Sequence, residues 1–109
     1  MKGSVIMNQG KLVRDKIPQI IREAGKTPIT RILSEKEYLE ELDKKLNEEI
    51  AEYLADKSIE EMADVLEVLF AICEARGHSL EELMEARNTK REKRGGFEQR
   101  IFWSGNESV

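Results

Sequence analysis

From residue 34 to residue 94 the apolar positions recur at steps of three and four, the spacing of helices that each bury one stripe against a neighbour. In the first run the stripe is Leu39, Leu42, Leu46, Ile50 and Tyr53. Three Ser-x-x-Glu boxes, Ser34/Glu37, Ser58/Glu61 and Ser79/Glu82, mark helix starts: each serine hydroxyl can accept from a free backbone N–H while the glutamate reaches back to the cap. They predict helices over 34–56, 58–76 and 79–94. Gly77 and the Gly95-Gly96 pair stand just past two of these ends, where a left-handed residue is wanted. A shorter helix is expected over 17–24, with Pro18 in its first turn and Gly25 as its stop. Thr30–Leu33 and Phe97–Trp103 read as short extended pieces able to pair as a two-stranded ribbon. The expected fold is all-α: a bundle of about four helices around a long antiparallel central pair, with that small β-ribbon from the N- and C-terminal segments.

Two features break the simple amphipathic pattern. Stepping about 100° per residue puts Glu49 inside the apolar stripe, near Leu46 and Tyr53, with Glu52 at its edge. On the 58–76 helix, Ile59, Met62, Val65, Leu66, Val68, Leu69, Phe70, Ile72 and Cys73 cover roughly 200° of the circumference, more than one neighbour usually hides. A homo-oligomer, dimer or tetramer, is the simplest way to bury the second face.

Composition agrees with a helical domain. At 109 residues the chain fits one domain with a thin core; charged residues are 37% and aromatics 6%, which suits exposed helices better than a β-sandwich. Residues 11–109 are expected to form that domain, after a flexible segment 1–10 that fits no motif. Charge is segregated: residues 1–33 carry seven basic against two acidic side chains, residues 34–86 five against seventeen, and residues 87–109 six against three. An acidic middle between basic ends suggests a site that needs both signs, and it argues against a nucleic-acid partner, whose phosphates the central helices would repel. The single cysteine, Cys73, among Leu69, Phe70 and Ile72, reads as a buried thiol in a reducing cytoplasm. No signal peptide or membrane span is expected.

The candidate chemistry is carboxylate chemistry. Glu49 and Glu52 on one helix, and Glu61 and Asp64 on the next, are i, i+3 pairs that project from nearly one face each, so adjacent antiparallel helices can bring them to one point. Glu48 stands beside them. Four carboxylates without histidine make a hard, all-oxygen site suited to Mg²⁺, with Mn²⁺ as substitute; zinc would want His or Cys, and a ferritin-like di-iron site Glu-x-x-His. His78, the only histidine, reads as a surface residue. The bland alternative is a solvated acidic face, with Glu61 employed in its capping box. Against it stand Glu49 in the stripe and Asp64, a poor helix former, beside Ala63, Val65 and Val68, since buried acids are costly unless paired or metal-bound. Lys11, Arg14 and Lys16 precede the first helix, and Lys90, Arg91, Lys93 and Arg94 crowd the last turn of the fourth, as helix-dipole partners or as phosphate ligands. Asp15 offers Arg14 or Lys16 a local surface pair. Phe102 and Trp103 read as packing for a terminal segment rather than as a base-stacking platform.

At these residues the chain resembles the all-α NTP pyrophosphatase superfamily, which includes MazG-like proteins and relatives of phosphoribosyl-ATP pyrophosphohydrolase. Glu48-Glu49-x-x-Glu52 followed by Glu61-x-x-Asp64 matches that family's EExxE…ExxD pattern. The likeness extends to Lys11-Leu12-Val13-Arg14-Asp15-Lys16-Ile17-Pro18 and Lys93-Arg94-Gly95-Gly96-Phe97-Glu98, covering about residues 11–103. It implies Mg²⁺-dependent hydrolysis of the α–β phosphoanhydride of a nucleotide to a monophosphate and pyrophosphate. By position, Glu49, Glu52, Glu61 and Asp64 would be metal ligands, with Glu48 or Glu49 handling the attacking water's proton. Lys45, Lys90 and Arg94 would contact phosphate; Arg14 and Lys16 are further phosphate candidates, in a segment whose alternative role is structural. The short gap between Glu52 and Glu61 departs from larger relatives and leaves little room for the insertions that shape their base pockets. A non-catalytic helical dimerisation or regulatory module that binds nucleotide is the rival reading.

Overall fold

The computed structural model describes residues 10–108, so of the expected flexible segment 1–10 all but Gly10 lies outside the described residues. Four helices follow one another: α1 (Ile17–Glu23), α2 (Glu35–Asp56), α3 (Ile59–Ala75) and α4 (Leu80–Arg94). The capping serines set the three long ones. Ser34 and Ser79 each accept from the N–H three residues on, and Glu37 and Glu82 reach back to close full capping boxes. Ser58 accepts the Glu61 N–H, but the Glu61 side chain does not return.

The reversal between α2 and α3 takes two residues. Lys57 ends α2 in the left-handed region, φ 60° and ψ 21°, a conformation that costs a non-glycine residue about 1–2 kcal/mol. Its ammonium lies over the Tyr53 ring, 5.5 Å from the centroid. Ser58 then caps α3, which runs straight back along α2, and Arg76 at the far end comes within 3.8 Å of Asp43. Helix packing is confined to α2 on α3 and α3 on α4. At the second joint the Cys73 thiol donates to the Ser79 carbonyl, 3.3 Å, and lies 3.7 Å from that of His78, so the expected buried cysteine ties α3 to the start of α4.

The core is thin. Leu42, Val68 and Cys73 are its buried apolar residues, and Glu49 is buried with them at 7% exposure. The radius of gyration is 19.4 Å, against about 13 Å for a compact chain of this length. The broad apolar face of α3 stays half open: Ile59, Met62, Leu66 and Leu69 remain 41–68% exposed.

The β-ribbon expected from Thr30–Leu33 and Phe97–Trp103 does not form; no strand occurs among the described residues. Pairing needs the two segments side by side, and each makes local bonds instead. Arg31 is held by Glu37 at 3.0 Å, and the Arg100 N–H closes a turn onto the Phe97 carbonyl. Nor does the C-terminal segment pack on the helices as expected, for Phe97, Phe102 and Trp103 are largely exposed and the Trp103 Nε1–H donates to nearby Asn106. Among the described residues no helix is long and apolar enough to cross a membrane.

With so small a core, each buried side chain carries a large share of stability. Leu42→Ala, at the best-buried apolar position, is expected to lower unfolding free energy by about 2–5 kcal/mol in urea denaturation. A loss below about 1 kcal/mol would show that the α2–α3 seam is not the core.

Candidate metal centre

The α2–α3 reversal decides where the acids meet. Carboxylate oxygens of Glu49, Glu61 and Asp64 lie within 4.8 Å of one another, and those of Glu48, Glu49 and Glu52 form a second such group sharing Glu49. All four residues expected as ligands are thus linked, with Glu49 common to both groups. Glu49 arrives there from inside the apolar stripe and Glu52 from its exposed edge, as their angular positions predict.

Glu61 shows what this crowding does. In the Ser34 box the glutamate returns to its cap, and Arg31 together with the Ser34 N–H and hydroxyl lowers the Glu37 pKa to about 2. At Ser58 the same motif is half made. The Glu61 carboxylate turns into the seam, where its Oε2 is buried without a hydrogen-bond partner. Burial, then the charges of Asp64 and Glu49, push its pKa up. Burial likewise raises Glu49, with Glu52 adding to it. A buried, unpartnered carboxylate oxygen facing two more acids is costly unless a cation answers it.

Some cations already answer part of the charge. Lys45, one turn before Glu49, places Nζ 2.5 Å from Glu48 and 3.5 Å from Glu49. Burial pulls the Lys45 pKa down, but the hydrogen bond and charge of Glu48, with help from Glu49, outweigh it and leave it raised. Its hydrogen bond in turn lowers Glu48. Arg14 does not pair with Asp15: its guanidinium reaches across fifty residues to donate to Asp64 at 2.5 Å. Lys11 lies 3.6 Å from the other oxygen of Glu48. Nothing local in the sequence marks this contact, which exists only once the N-terminal segment lies against α2.

Other candidates lie elsewhere. Lys16 stands exposed at the start of α1. Lys90 and Arg94 line a groove on α4 with Leu83, Arg87 and Phe97. No hydrogen bond or ion pair among the described residues joins them to the acids, and α4 packs on α3 rather than α2. Within one chain and among the described residues, the cations that reach the acids are Lys45 of α2 and Lys11 and Arg14 of the N-terminal segment. His78 is exposed, 3.8 Å from Glu82, as a surface residue should be.

The donor set is all oxygen, and one of its members, Glu61, keeps a buried oxygen without a hydrogen-bond partner. It fits a hard divalent cation and lacks the His or Cys that zinc prefers. Fold and site together define an all-helical protein with an interhelical acidic cluster able to hold a metal ion. No family model matches the chain, and no solved structure matches it. An uncharacterized protein of Mycolicibacterium smegmatis (strain ATCC 700084 / mc(2)155) is 56% identical over 45 residues, which are 41% of this chain and 46% of that relative. The matched part thus spans about half of the relative's length.

The raised carboxyls make a pH prediction. A glutamate whose pKa is higher folded than unfolded imposes no penalty below its ordinary value of about 4.3; the penalty grows as pH rises above that value towards the raised folded one. Glu49→Gln is therefore expected to raise the metal-free melting temperature by a few degrees at pH 7.5, with the gain fading near pH 4. Calorimetric scans of both proteins at the two pH values check this, and a variant no more stable at pH 7.5 contradicts it.

Proposed function

We propose that this protein is a Mg²⁺-dependent nucleotide pyrophosphohydrolase. It cleaves the α–β phosphoanhydride of a nucleoside triphosphate or related nucleotide to a monophosphate and pyrophosphate, clearing the cytoplasmic nucleotide pool. The observation that carries the reading is Glu61, whose carboxylate leaves its capping box to present a buried, unpartnered oxygen beside Glu49 and Asp64. The motif order, with basic segments before and after the acids, is the second support.

On this reading Glu49, Glu52, Glu61 and Asp64 hold Mg²⁺, or Mn²⁺ in its place. When bound, the ion supplies Lewis-acid polarisation of a phosphoryl oxygen and positive charge beside the scissile anhydride. The chain supplies the rest. Glu48 or Glu49, the neighbouring carboxylates at the α2 side of the site, would accept a proton from the attacking water. Glu48 has one oxygen on Lys45 and the other near Lys11, and so orients those cations. Lys45 offsets negative charge that develops as the anhydride breaks, and Arg14 is a further phosphate contact; Lys16, Lys90 and Arg94, which lie away from the acids within one chain, would act on the more distant parts of the nucleotide or from a second copy.

The functional unit is a homo-oligomer. Ile59, Met62, Leu66 and Leu69 follow the 3-4-3 spacing of a coiled-coil seam and stay exposed on a helix already packed on its other side. Leu66→Glu is expected to reduce the assembly to monomers in size-exclusion chromatography with light scattering, and an unchanged mass places the contact elsewhere. The exposed seam also supports a second reading, a dimerisation module that binds nucleotide without turnover.

Incubation with a panel of nucleoside triphosphates, with and without Mg²⁺, separates the two. Pyrophosphohydrolysis predicts Mg²⁺-dependent pyrophosphate with equimolar monophosphate, and Asp64→Asn or Glu52→Gln lowering kcat/KM by at least roughly 100-fold, as loss of a supporting ligand can. Thermal stabilisation by Mg²⁺ plus nucleotide without product would favour the binding module. Near wild-type turnover by either variant would remove those residues from the site.

A further inference from the structure

The N-terminal segment crosses the acidic cluster. Lys11 and Arg14 lie three positions apart before α1, in residues without helix or strand, and end on different members of the central pair: Lys11 near Glu48 of α2, Arg14 on Asp64 of α3. Three extended residues advance about 10 Å, close to the 8–10 Å between packed helix axes. Both side chains are more than half exposed at 64% and 55%, so the pairs rest on the surface of the seam and are not locked into the core. The Arg14 partner is one of the three acids that converge, while another of them, Glu61, keeps a buried oxygen with no partner. The strap thus pairs Glu48 and Asp64 and leaves Glu61 unanswered. A guanidinium and a divalent cation at one carboxylate repel each other, whereas an incoming phosphate offers the guanidinium a replacement partner.

We propose that Lys11 and Arg14 form an exchangeable counter-ion strap that competes with a divalent cation for the carboxylate cluster, Arg14 yielding Asp64 when the cation binds. The proposal rests on the metal centre proposed above and adds a regulatory role for the segment before α1. The strap holds down metal affinity in the nucleotide-free protein. Once released, its guanidinium is left beside the cluster with its charge free for phosphate.

Manganese titration of the full chain without nucleotide, following free Mn²⁺ by electron paramagnetic resonance, tests this without reference to turnover. Arg14→Ala and Lys11→Ala are expected to tighten Mn²⁺ binding by about 2- to 5-fold, the scale of an exposed ion pair converted to an equilibrium constant. Lys36→Ala, which removes the same charge about 18 Å along α2 from Glu48, is expected to leave it unchanged. Equal or weaker binding by Arg14→Ala overturns the strap and makes Arg14 a positioning residue for Asp64. Binding tightened equally by Lys36→Ala also overturns it, leaving only general charge. If the wild type and every variant bind no Mn²⁺, the metal centre fails and the strap with it.

Discussion

The structure depends on the electrostatics of one seam. The reversal through Lys57 and Ser58 lays α3 along α2, and the same packing that buries Leu42 and Val68 also drives Glu49, Glu61 and Asp64 into a space less than 5 Å across. Apolar burial there is small, so charges brought in with it weigh heavily on the balance. Lys45 from within α2, and Arg14 and Lys11 from the preceding segment, relieve the rim. Burial first, and the neighbouring acids after it, still hold the carboxyl groups of Glu49 and Glu61 above their ordinary range. A site in this condition stores repulsion that a cation would discharge, which is why the proposed metal role and the marginal core belong to one account.

The capping boxes show how one local motif takes different jobs. Ser34/Glu37 and Ser79/Glu82 close on themselves, and both glutamates are held below their ordinary range, Glu37 mainly by Arg31 and Glu82 mainly by the Ser79 N–H. Ser58/Glu61 caps α3 with the serine alone. Nothing in four letters of sequence separates the third box from the other two. Its difference comes from standing opposite Glu49 across the reversal, where the carboxylate is taken up by the cluster.

The extended shape has the same origin. With α2 covering only part of α3, and α4 touching α3 but not α2, the apolar residues Ile59, Met62, Leu66 and Leu69 are left outside the single chain's core. In the proposed oligomer a second copy completes the burial that one chain leaves unfinished.

Local rules in the sequence were enough for the helices: serine caps, glycine stops and three-four periodicity act within a few residues, and the observed ends follow them closely. They also placed Glu49 inside the apolar stripe and Glu52 at its edge, because angular position on a helix is local geometry. The β-ribbon is not decided locally, because pairing is a relation between distant segments, and Arg31 and Phe97 find partners near at hand. Arg14 on Asp64 could not be read either, since a pair fifty residues apart exists only after α2 and α3 have folded back. The acids were legible as a pattern, but which of them share a point, which cations reach them and which oxygen is left alone were decided by how the helices pack. Packing alone sets distances between residues remote in the chain, and Coulomb interactions follow distance.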